Sequence, residues 1–356
     1  MIIYLLLNGV LRLFSYLCPN KNNKMKTIIM FCLWVLSMVM LYADEMNTKY
    51  IFAYFKGNGE DGLHLAESQD GYVWKTLAGD SSFLVPQVGG RLMRDPNIIL
   101  GGDGFYHMVW TVSWKGQAIG YSKSKDLRHW CPQQLLPVMR DEPGTRNCWA
   151  PEITYDKNTD TYLIYWSSTI ESKFTETAEM KEDNYSHRIY ATTTRDFKTF
   201  TPTVLLYDPG FSVIDATILI QNGKYYMFVK DETLTPAKKN IRVAVADRLV
   251  GPYSVPSESI TGDYWCEGPT VLAHEGKITV YFDKYTHGCY GAVESVDLKH
   301  WGDISHKVVF PEGARHGSVI EVPASIWTDG INLWAKMAIP SRDFLLMATN
   351  NWKSAE

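Results

Sequence analysis

Asp95, Asp215 and Glu267 each stand at the head of a strand-like run, in RDPNIIL, DATILI and EGPTVLA. Two carboxyl groups facing one ligand can share the work of bond cleavage. One, protonated, receives a leaving oxygen; the other, ionised, acts as base or nucleophile. A third carboxylate close by raises the acid's pKa by like charge and keeps it protonated near neutrality. This is the equipment of glycoside hydrolysis. Taken singly, an Asp-Pro or a Glu-Gly-Pro is a turn. The chemistry depends on whether the fold brings the three groups together.

The elements that would position them repeat along the chain. From residue 50 onward, β-rich runs alternate with Gly, Asp and Asn turns, an all-β pattern. One element is a strand followed by Ser/Thr, Asp and an aromatic. It occurs as LHLAESQDGYVW (63–74), IGYSKSKDLRHW (119–130), IYATTTRDFKTF (189–200) and GAVESVDLKHW (291–301), with a degenerate copy, VAVADRLVGPY (243–253). A second element is a hairpin with an aromatic-rich return strand, beginning near residues 94, 150, 215 and 267. A fifth first strand, RHGSVIEVP (315–323), has no return strand after it, whereas YIFAYFKG (50–57) is a return strand with no first strand before it. The two ends complete one blade. The fold predicted is an all-β, five-bladed β-propeller of four-stranded blades, closed by pairing of N- and C-terminal strands. A β-sandwich leaves that complementarity unexplained.

The first strand of each propeller blade lines the central channel. Asp95, Ala150, Asp215, Glu267 (Gly268 on strict alignment) and His316 are therefore expected at one mouth. Loops joining second to third strands rim it and carry Trp114, Asp231-Glu232 and Tyr285; the longest is the acidic segment 169–186. Arg94 and Trp149 end inter-blade segments that reach the same rim. Trp114 and Trp149 are candidates to contact ligand, and Trp166 is assigned to packing between blades.

Composition agrees with a sugar-directed surface. Aromatic residues make up 13% of the chain, with 12 Trp and 21 Tyr, and aromatic faces suit sites that stack on flat apolar surfaces. A net charge of −4 without a basic stripe argues against nucleic acid as a partner. Met25-Lys26, the apolar run 27–42 and Ala43 read as a signal peptide with Met25 as the true start. An uncleaved membrane anchor is the alternative. The expected organisation is upstream extension plus signal peptide over 1–43, propeller over 44–324 and an unassigned tail over 325–356. The product would be exported, periplasmic or secreted, with no stable membrane insertion after signal removal. Beyond the leader, Cys131, Cys148, Cys266 and Cys289 lack CxxC spacing, so no zinc site is expected; one or two disulfides stay open.

In order and spacing these motifs resemble glycoside hydrolase family 43 over nearly all of residues 50–320. The matching stretches are Asp95-Pro96, Trp149-Ala150-Pro151-Glu152, Ile214-Asp215, Glu267-Gly268-Pro269 and Arg315-His316-Gly317. The resemblance implies a five-bladed propeller acting on α-L-arabinofuranosides or β-D-xylosides with inversion. Asp95 would be the general base, Asp215 the group that tunes pKa and orients substrate, and Glu267 the general acid. Arg94, Trp114, Trp149, Tyr285, Arg315 and His316 would bind substrate. No cofactor is required and no metal ligands are assigned, although some relatives hold water or Ca2+ near the channel axis, at the place of His316. Arg94 departs from the small residue common before the base. It is expected either to bind substrate oxygens or to lower the Asp95 pKa. Three other readings stand beside this one: a retaining, invertase-like propeller, a galactan-directed hydrolase, and a non-catalytic carbohydrate-binding propeller.

Overall fold

A computed structural model describes residues 48–178 and 183–327. The signal peptide expected within 1–43, residues 179–182 of the acidic loop and the tail from 328 lie outside the described residues.

Five antiparallel sheets follow one another along the chain. The first blade runs Arg94–Leu100, Tyr106–Thr111, Ile119–Ser124 and Gln134–Leu136, and the second Trp149–Asp156, Thr161–Ser168, Arg188–Thr194 and Val204–Tyr207. The fourth runs Glu267–His274, Lys277–Lys284, Cys289–Ser295 and Gly302–Asp303. The last blade takes Arg315–Pro323 as its inner strand and Thr48–Phe55, His64–Ser68 and Lys75–Thr76 as the outer three. This is the predicted five-bladed propeller, closed by its two ends, which leaves no long unpaired edge.

The repeated Ser/Thr and Asp have a local explanation. Ser124 Oγ accepts the backbone N–H groups of Asp126 and Leu127, and the Asp126 carboxylate accepts those of Arg128 and His129. The same turn is built by Ser68 with Asp70, Thr194 with Asp196 and Ser295 with Asp297. Such turns satisfy backbone donors where a strand ends.

In the third blade the prediction needs correction. It has three strands, Val213–Gln221, Lys224–Asp231 and Asn240–Ala246, not four. Ala246 stands where the other copies have Ser or Thr, and Asp247 pairs with Lys224 at 2.7 Å. The fourth position is filled by an irregular segment that touches the third strand at intervals, through Ser254, Ser257 and Ile260 donating to the carbonyls of Val245, Val243 and Ile241. Ser254 and Ser257 hydroxyls accept the N–H groups of Val245 and Val243. Pro252 and Pro256 have no N–H to give a ladder.

Apolar side chains fill the wedges between neighbouring blades. Val109, Ile164 and Trp166 pack between the first two, and Phe228, Val280 and Phe282 between the third and fourth. Trp166 is thus a packing residue. The described cysteines are unpaired, so neither open disulfide forms: Cys148 and Cys266 are buried, and Cys131 and Cys289 are exposed. Propeller packing extends past residue 324, because Trp327 donates its indole N–H to the Asp126 carbonyl at 2.9 Å. No helix among the described residues is long and apolar enough to cross a membrane.

Candidate active site

Each inner strand of the first four blades opens with the same irregularity. Arg94, Trp149, Ile214 and Glu267 pair with Thr111, Ser167, Lys230 and Asp283 on the second strands, and a bulge follows at once. The bulged residue lies in the left-handed region: Asp95 at φ +53°, Ala150 at +45°, Asp215 at +54° and Gly268 at +60°. A bulge re-aims a side chain. Holding a non-glycine residue there costs about 1–3 kcal/mol, which functional sites commonly carry. Glu267 is therefore equivalent to Arg94 and Trp149, whereas Gly268 matches Asp95 and Asp215. The two halves of the acid–base pair reach the site from different backbone positions.

Second-strand hydroxyls hold the bulges. Thr111 Oγ1 donates to Asp95 Oδ2 at 2.7 Å and accepts the Ala150 N–H at 2.8 Å. Ser167 Oγ accepts the Asp215 N–H at 3.1 Å, and Asp215 Oδ2 accepts the Gly268 N–H at 3.0 Å. Each of these blades thus fixes the opening residue of the next. Both hydroxyls end an aromatic-rich strand (VWT, YWS), a repeat position already visible in the sequence.

All nine site residues named from the sequence line one cavity of about 260 Å3. Asp95, Asp215 and Glu267 face it together with His316 and Arg315; Arg94, Trp114, Trp149 and Tyr285 form its walls. His316 Nδ1 lies 3.5 Å from Asp95 Oδ1 and 3.8 Å from Asp215 Oδ2. Burial favours the neutral ring, but Asp215, Asp95 and Glu267 around it raise its pKa overall.

Glu267 is gripped by cations. It accepts from Lys230 Nζ at 3.1 Å and from an Arg315 guanidinium nitrogen at 3.2 Å. Arg315 is anchored in turn on Asp283 at 2.7 Å, and Lys230 also pairs with Glu232 at 2.9 Å. Burial pushes the Glu267 pKa up, but Lys230, His316 and Arg315 outweigh it and leave it below the usual value. Asp215 behaves in the opposite way. Burial, helped by the Glu267 charge and opposed by His316, raises it to about 6. At Glu267 the surrounding cations thus outweigh neighbouring like charge. Of the three carboxylates, the elevated one is Asp215, because the nearest cations sit on Glu267.

Among the described residues no group of three or more His, Cys, Asp or Glu side chains is arranged to hold a metal ion. The His316 imidazole stands beside both Asp95 and Asp215.

Arg94 has a structural task that the sequence did not disclose. Its guanidinium lies between the rings of Phe55 and Trp114, 4.7 and 4.2 Å from their centres. Asn58 Oδ1 accepts from Arg94 at 3.3 Å and from the Trp114 indole N–H at 3.0 Å. Trp149 meets Trp114 edge to face at 5.7 Å and donates to its carbonyl. Phe55 and Asn58 come from the N-terminal segment that closes the last blade, and Lys230 and Glu232 from the third blade. Glu232 was expected on the rim; Phe55, Asn58 and Lys230 carried no motif, and only blade closure and strand pairing bring them here.

The comparisons with known proteins follow the same line. A glycosyl hydrolase 43-related family profile, described as "Probable glycosyl hydrolase domain", matches residues 45–326. An alpha-L-arabinofuranosidase of Bifidobacterium longum subsp. longum is 24% identical over 210 residues, which span 52% of this chain and 20% of that protein's own length. The crystal structure of a thermostable family-43 glycoside hydrolase superposes with a TM-score of 0.51 at 19% identity, covering 66% of this chain and 80% of the other; it supports the fold.

Proposed function

The chain belongs to the glycosyl hydrolase 43-related family, and from that premise we propose that it hydrolyses a terminal α-L-arabinofuranoside or β-D-xyloside of a plant-type polysaccharide or oligosaccharide, with inversion. The observation that carries this reading is the convergence of Asp95 and Glu267, from the first and fourth blades, on one cavity with Asp215. Its volume of about 260 Å3 falls short of the roughly 300–1,000 Å3 of drug-sized ligand sites. The ring being cleaved is placed there.

In this mechanism Asp95, oriented by Thr111, takes a proton from a water that attacks the anomeric carbon. Glu267 protonates the departing glycosidic oxygen. Inversion asks that the two carboxyl groups stand about 6.5–9.5 Å apart, with water between base and sugar. Asp215, through the Gly268 N–H and the His316 ring, orients both the sugar and the fourth-blade strand. Trp114 and Trp149 flank the ring being cleaved. Export rests on the leader ending at Ala43.

The test is a panel of 4-nitrophenyl α-L-arabinofuranoside, β-D-xyloside and β-D-galactoside. Release from either pentoside supports the reading. Release from the galactoside alone moves the substrate to galactans, and no release from any of them overturns hydrolysis of such sugars.

A further inference from the structure

The position of Glu267 tells where the rest of the substrate must lie. An acid that protonates the departing oxygen stands beside the leaving group, so the second sugar leaves over the fourth-blade side of the rim. This step rests on the function proposed above. The ring being cleaved is placed in the cavity of about 260 Å3, so the leaving ring lies toward its fourth-blade rim.

Two aromatic rings mark that side. Tyr285, just after the second strand of the fourth blade, lines the cavity. Trp265, two residues before Glu267, lies outside the lining; its ring centre is 6.4 Å from that of Tyr285 with a tilt of 45°. Trp265 is 38% exposed, whereas Cys266 beside it is buried and donates its N–H to the Lys239 carbonyl at 2.9 Å. The Lys239 ammonium stands 6.0 Å from the Trp265 ring centre. A single exposed tryptophan needs no explanation. This one extends the cavity wall by one ring, on a pinned backbone, on the side where the acid works.

We propose that Trp265, with Tyr285, forms the platform for the leaving-group sugar, so that the natural substrate is a carbohydrate chain whose second ring stacks on this indole. The C–H face of a sugar is apolar and suits an aromatic face. Contacts remote from the reacting bond add to the rate when they are kept in the transition state. The Trp114–Trp149 wall is continuous with Arg94 and belongs to the base side, where the first ring sits.

The test compares kcat/KM for a di- or trisaccharide with that for the glycosyl fluoride of the same terminal sugar. Fluoride is too small to reach Trp265. Trp265→Ala is expected to lower the oligosaccharide-to-fluoride ratio about tenfold, with Trp265→Phe recovering most of it. A ratio within about twofold of wild type for the alanine variant overturns the proposal. If the alanine variant is unstable by thermal melting, Trp265→Gln replaces it, and the same fall or the same unchanged ratio decides the question. Wild-type protein that cleaves neither substrate overturns the underlying hydrolase reading instead, which separates the two failures.

Discussion

Gly268 and His316 occupy space that a single methyl group would contest: a Cβ on Gly268 would lie 2.4 Å from His316 Cγ, at a φ of +60°. The fourth-blade bulge therefore requires glycine because of the contact with the ring; the left-handed backbone, which Asp95, Ala150 and Asp215 also adopt, adds strain to any substitution. Gly268→Ala is expected to cost about 1–3 kcal/mol in stability. By moving His316 away from Asp95 and Asp215, it should lower kcat/KM by about 10²-fold. Thermal melting and steady-state kinetics check both effects; unchanged kinetics would show that the His316 position is immaterial.

Removing the base and removing the acid should differ in kind. Asp95→Asn leaves the Thr111 contact but no group to take a proton, and should lower activity by about 10²–10⁴-fold on every substrate. Glu267→Gln should abolish turnover of poor leaving groups while sugar binding, read by calorimetry, persists. Proton NMR of the first-formed anomer distinguishes the expected inverted product from a retained one.

Lys230 governs the pH behaviour of the acid. Glu267 must be protonated to act, and its pKa is held below the usual value chiefly by Lys230 against the effect of burial. Activity on poor leaving groups should therefore fall as pH rises, starting from the acidic side. Lys230→Met withdraws the cation 3.1 Å from Glu267, so the Glu267 pKa rises and that limb moves to higher pH. Because the carboxylate loses a buried partner, stability should drop by about 3–5 kcal/mol. A pH–rate profile with an unmoved limb would place the acid elsewhere.

His187 predicts an acid-side loss of stability. Its ring is buried against Trp149 and Tyr185 with no hydrogen-bond partner on either nitrogen, and burial, with nearby Lys230 and Arg146, pushes its pKa down to about 3. The unfolded chain takes up a proton below its ordinary value of about 6.5, while the folded chain does not. Stability present above that pH is thus lost as pH falls toward 3. His187→Phe should remove about 2–3 kcal/mol of the loss between pH 6.5 and 4.5. Urea titrations of both proteins at the two pH values measure the difference.

Blade number and closure were legible because the signals are local. A Ser or Thr followed by Asp closes its own turn, and the absence of that hydroxyl at Ala246 marks the blade whose fourth strand is irregular. That irregularity was open to reading in the degenerate copy. Arg94 was not legible in this way. Its stacking partner Phe55 belongs to the last blade and meets it only across the closure of the propeller, whereas Trp114 comes from the first blade's own loop.

By itself the sequence determined which residues open the inner strands, and therefore which carboxylates meet at one mouth. Turn chemistry and strand alternation act over a few residues and repeat from blade to blade. The tertiary structure alone decided which way their pKa values are pushed. Lys230, Arg315 and His316 reach Glu267 from other strands, and Coulomb and desolvation effects depend on distance through space and on burial. That is why the elevated pKa falls on Asp215 and not on Glu267.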